Sequence, residues 1–125
     1  MTDSSRPVLT PGPSHPITVE PSTDHIVVTV AGRKVADTHR ALALREASYP
    51  VVYYVPLEDV DRALLERTEH STYCPYKGDA SYYSIPTGGD AAENAVWTYE
   101  QPRPAVAAIK DHVAFYPDRV EIAVS

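Results

Sequence analysis

Short runs of Val, Ile, Thr and Tyr recur from residue 17 to residue 124, each ended by Pro, Gly, Asp or Ser after a strand's length. That spacing restricts the fold more than any other feature of the chain. ITVE at 17–20 is followed by IVVTV at 26–30, in which Ile26, Val28 and Val30 share one face, and Ala31-Gly32 turns the chain back into RKVA at 33–36. Similar runs lie at 41–45, 51–55, 79–85, 95–99, 113–116 and 120–124, with Gly88-Gly89 marking one tight connection. Strands this short and closely joined pair antiparallel, so the sequence predicts a mainly β chain built as a curved sheet, a sandwich or a partial barrel. Two segments read differently. PLEDVDRALL at 56–65 opens on proline, places acids in its first turn and spaces Leu57, Val60 and Leu64 helically, which predicts a helix of two or three turns. PAVAAIKD at 104–111 suits one or two helical turns.

Residues 1–16 hold four prolines and no apolar period, and are expected to form a disordered tail ahead of a single domain at 17–125. Seventeen acidic against eleven basic side chains leave a formal charge of −6 with no lysine or arginine block. Duplex nucleic acid and anionic membranes require a positive face, so neither is an expected partner. One cysteine makes no internal disulfide, and no basic, apolar leader opens the chain. The expectation is a soluble cytoplasmic protein.

Most recognisable chemistry is excluded by spacing. The histidines at 15, 25, 39, 70 and 112 form no HxH, HExxH or HxxxH pair, so no metal site is expected from the sequence. There is no GxxxxGK[ST] or GxGxxG phosphate cradle and no GxSxG elbow. Asp59 and Asp61 have DxD spacing, but on a helix their carboxylates point apart. Cofactors are left unassigned.

What remains is CPYKGDASYYS at 74–84, which gathers the single cysteine, a lysine and three of the nine tyrosines. Eight of those tyrosines fall between Tyr49 and Tyr99, against one Phe and one Trp in the whole chain, a bias that suits an aromatic surface as well as it suits strand propensity. Lys77, between Tyr76 and Gly78 with Tyr82 and Tyr83 on the next strand, fits an anionic or planar group held by charge and stacking. Cys74 reads either as a thiol activated by Lys77 or as a buried thiol packed under the turn. Arg40, Arg45 and Glu46 bracket an apolar strand, as solvated caps or, for the arginines, as a grip on a carboxylate or phosphate. His70 precedes the motif, as a base or as an ordinary loop histidine. Trp97 and Tyr99 share a strand face that is either core or the wall of a flat-ligand pocket.

The order ALALRE, YPVVYYVPLEDV, CPYKGDASYYSI and AVWTYEQPRPAVAAIKDHVAFYPDRV resembles the bacterial family called domain of unknown function 427, whose core is C-P-[YW]-K-G-x-A-S-[YW]. The resemblance spans roughly residues 27–124 and implies a β-tent, two antiparallel sheets meeting at an angle over a cleft. Relatives of that architecture often clamp zinc with two CxxC pairs; this chain has only Cys74, so the zinc is not carried over. A nucleotidyltransferase-like label used for the family finds no paired carboxylates on adjoining strands and no phosphate loop here. Positions matching the family pattern include Arg40, Arg45, Tyr53, Cys74, Lys77, Ser81, Tyr82, Trp97 and Tyr99, and these are the expected ligand-binding set. The leading expectation is a small-ligand-binding domain, or an enzyme of unrecognised class, with an aromatic pocket around the CPYKG turn. The alternatives are a non-catalytic protein-interaction module whose tyrosine face meets another chain or a second copy, and a nucleotidyltransferase-like or cysteine-dependent enzyme.

Overall fold

Ten strands build the chain in a computed structural model that describes residues 6–125. They are β1 (Ile17–Pro21), β2 (Ile26–Val30), β3 (Arg33–Thr38), β4 (Leu42–Glu46), β5 (Val52–Pro56), β6 (Glu66–Cys74), β7 (Gly78–Ser84), β8 (Val96–Thr98), β9 (His112–Phe115) and β10 (Glu121–Val124). A seven-stranded sheet runs β1-β4-β5-β9-β8-β7-β6, and a three-stranded sheet runs β10-β2-β3. Every ladder is antiparallel, as the hairpin spacing predicts.

The alternation in IVVTV explains the first core. Ile26, Val28 and Val30 are buried while Val27 and Thr29 are half-exposed, so β2 presses its β-branched face on the large sheet. Val55, Val96, Val113 and Phe115 meet it from β5, β8 and β9. The return into β3 needs positive φ at both turn positions, found at Ala31 (51°) and Gly32 (77°). The opposite face of the large sheet carries a second core of Leu44, Tyr54, Ala80, Tyr82, Tyr99 and Ala114, closed by Val106 and Ile109 of the 3-10 segment Pro104–Ile109.

The helix expected at 56–65 is instead two single 3-10 turns, Leu57–Asp59 and Arg62–Leu64. Between them Val60 is extended, bridges Ala36 and is buried, and the Asp61 amide donates to the Val35 carbonyl at 2.7 Å. Joining the sheet buries Val60 and satisfies backbone groups at once, which outweighs a local helical preference worth a few tenths of a kcal/mol per residue. Strand β6, in turn, has no sequence signature. ERTEHSTYC is almost wholly exposed, lies at the sheet edge and breaks register between Arg67 and Ser71, so it shows no apolar period.

Residues 6–16 lie against the β6–β7 hairpin. The Leu9 amide donates to the Pro75 carbonyl at 3.1 Å, the Tyr73 hydroxyl to the Pro7 carbonyl at 2.7 Å, and Arg6 pairs with Asp79 at 2.6 Å. The first five residues of the expected tail lie outside the described residues. Among the described residues no helix is long and apolar enough to cross a membrane.

Candidate functional site

Strands β5 and β9 pair only at Val55↔Val113 and Pro56↔His112, and then diverge. Tyr54 and Ala114 would be the next pair outward, and Tyr53 and Phe115 the one after; around that second pair the strands leave an apolar cleft of about 390 Å³. One wall is the connection into β5, with Tyr49, Pro50 and Val51. The other is β10, whose Ile122 and Val124, two residues apart, point the same way. Trp97, Tyr53 and Phe115 line the space between. The cleft therefore draws on both sheets. Its mouth exposes Tyr49 at 65% and Val124 at 46%, two of the few large apolar side chains the described surface leaves so open.

The Trp97 ring is held from behind. Its Nε1–H donates to the Tyr54 hydroxyl at 3.1 Å, the two rings meet edge to face at 6.3 Å, and Tyr116 lies 4.5 Å from the indole. A ring fixed by a hydrogen bond and two aromatic neighbours loses little entropy when a ligand stacks on it. Next to it, Tyr82 and Thr72 share a hydrogen bond at 2.9 Å, and Tyr82 and Tyr116 another at 3.3 Å. Burial raises the pKa of Tyr54, Tyr99 and Tyr116, the last to about 12, where the hydrogen bond to Tyr82 adds to it. These phenols are neutral at physiological pH; the Tyr54 hydroxyl accepts from Trp97, and Tyr116 shares its hydrogen bond with Tyr82.

Lys77 does not stand open to a ligand. Its residue is 8% exposed and its ammonium donates to Oε1 of Glu46, while Nε2 of His15 is 2.8 Å from Oε2 of the same carboxylate. His15 also stacks on Tyr76, ring centroids 4.1 Å apart. The pair ties the β6–β7 turn to the end of β4 across the second core. Burial pushes the Glu46 pKa up, but hydrogen bonds from Lys77 and His15 outweigh it and leave the group below its ordinary value. Gly78, at φ 109°, places its backbone where an added Cβ would lie 3.4 Å from the Gln101 carbonyl, so the tight turn that aims Lys77 inward suits glycine.

The remaining candidates are scattered. Tyr53 and Trp97 meet at the cleft; Tyr82, Tyr99 and Cys74 belong to the second core or pack on it. Ser81 is bound by Arg67 and Glu100 at 3.0 and 3.2 Å. Arg40 is engaged with Asp59 at 2.9 Å, and Arg45 is exposed on β4. Sequence reasoning missed Glu46, read as a strand cap, and Tyr49, Phe115, Ile122 and Val124 as cleft walls. For the walls the only signal was apolar residues clustered near proline. A larger hollow of about 540 Å³ beside β6 is lined mainly by polar and charged side chains, among them Glu66, His70, Asp90 and Glu93, and lacks the aromatic walls of the cleft.

A family model described as Domain of unknown function (DUF427) matches residues 18–125. No curated protein sequence matches the chain.

Proposed function

The chain belongs to the domain of unknown function 427 family, and from its cleft we propose that it is a small-ligand-binding domain that takes a flat, largely uncharged ring system between the two sheets. The observation that carries this is the cleft itself: about 390 Å³, walled by both sheets, with four aromatic side chains and almost no polar groups. That volume lies within the usual range of small-molecule sites, and Trp97 is braced so that its face stays available. The CPYKG turn acts at one remove, through the Lys77–Glu46 pair that fixes the core behind Trp97. A thermal-shift screen against neutral bicyclic heterocycles tests the reading. A ligand at about a hundred times its dissociation constant should add about 2.7 kcal/mol to native stability. Tyr49→Ala, at an exposed position, should leave the unliganded melting temperature within about 2 °C and reduce the ligand's shift. No shift with any compound, or a shift untouched by Tyr49→Ala and Val124→Ser together, would contradict it.

The exposed Tyr49 and Val124 beside the free edge of β10 favour a second reading, a self-association face. Sedimentation velocity over a hundredfold concentration range separates the two: a dimer broken by Val124→Ser supports self-association, and a constant monomer removes it.

A further inference from the structure

The histidines that show no metal spacing in the sequence are brought together by strand pairing. Ile26 pairs with Thr38 and Val27 with Asp37, so His25 lies opposite His39. The His25 amide and carbonyl both bond to Ser125, on the side away from β3. His25 and His39 are therefore a non-hydrogen-bonded pair, the kind whose side chains approach most closely. Their rings stack at 4.2 Å and 12°. Asp37, two residues before His39, shares their face, and its Oδ1 is 2.6 Å from Nε2 of His25. Ile26 and Thr38 are buried on the opposite face, so this trio lies on the outer side of the small sheet, with His39 exposed.

We propose that His25, His39 and Asp37 form a surface binding site for a divalent transition-metal ion of the zinc, nickel or copper type. Two imidazoles and a carboxylate are the donors such ions prefer, and water would complete the coordination. As the side chains stand, no three such groups among the described residues converge on one point. Metal binding therefore requires the His39 ring to turn out of its stack, a rotation open to an exposed side chain. The Lys34 ammonium, 2.8 Å from Oδ2, is the cation the metal would displace.

Isothermal titration of the untagged full chain with zinc chloride, and separately with nickel chloride, tests the proposal. One saturable event per chain is expected. His25→Ala, His39→Ala and Asp37→Asn should each weaken it by about tenfold or more, since even groups behind a metal ligand cost about 10- to 100-fold when lost. Lys34→Ala should tighten it severalfold by removing a competing charge. Because His39 and Asp37 are surface groups, His39→Ala and Asp37→Asn are expected to fold, which a melting curve verifies. No heat with either ion, or unchanged affinity in the His25→Ala/His39→Ala double variant, overturns the proposal.

Discussion

Lys77→Ala is expected to lower the unfolding free energy by about 2–4 kcal/mol and the melting temperature by roughly 10 °C. The substitution leaves Glu46, its side chain only 15% exposed, without the ammonium that compensates its burial. His15, the other partner of that carboxylate, is joined through a surface segment and cannot replace Lys77 from inside the core. Glu46→Gln should cost less than Lys77→Ala, and the double variant Lys77→Met/Glu46→Gln should recover part of the loss, because an uncompensated buried charge costs more than an absent pair. The acid limb of the stability curve gives an independent check. A carboxyl whose folded-state pKa lies below its unfolded value stabilises fully above the unfolded value, about 4.5 for glutamate, and loses that contribution as pH falls through the folded value. Wild type should therefore lose stability below about pH 4.5 more steeply than Glu46→Gln. Urea titrations at pH 7 and at pH 3.5 measure both effects. A Lys77→Ala protein that melts within about 2 °C of wild type would mean that the pair is solvated and ties nothing together.

Tyr54→Ala carries the second large effect, about 3–5 kcal/mol, since it empties the space of one of the largest fully buried side chains in the protein. Tyr54→Phe separates packing from hydrogen bonding. It keeps the ring and deletes only the acceptor of the Trp97 indole N–H, so it should cost about 1 kcal/mol. Its more telling consequence lies at the cleft, which Tyr54 does not line. With Trp97 no longer pinned, a stacked ligand must order the indole as it binds, and affinity should fall while the melting temperature drops by only about 3–5 °C. Urea unfolding and ligand titration of the two variants check this together. Unaltered ligand affinity in Tyr54→Phe would show that the hydrogen bond does not position Trp97.

The sequence was most informative where burial and strand period coincide. IVVTV advertises β2 because the residues that face the core are the β-branched ones, and the mainly β class follows from several such runs. Strand β6 lacks that signal because an exposed edge strand need not be apolar on either face. The segment at 56–65 carries real helix signals, but they are local, and the Val60–Ala36 bridge that overrides them joins residues far apart in the chain. The same reason limits the site. Tyr53 and Trp97 could be singled out as aromatic residues, whereas the cleft depends on where β5 and β9 part. Glu46 looked like a strand cap until the hairpin turn brought Lys77 over it, and His25 and His39 are neighbours only through their strand pairing.

The most direct measurement uses the chain's single tryptophan. In a 1H–15N correlation spectrum Trp97 contributes the one indole N–H resonance, a reporter on the cleft wall. Titration with a neutral bicyclic heterocycle selected by thermal shift should move that resonance saturably, together with the amides of Tyr49 and of residues 51–53, 115–116 and 122–124. A ligand that binds while leaving the Trp97 indole and those amides unmoved would contradict the account.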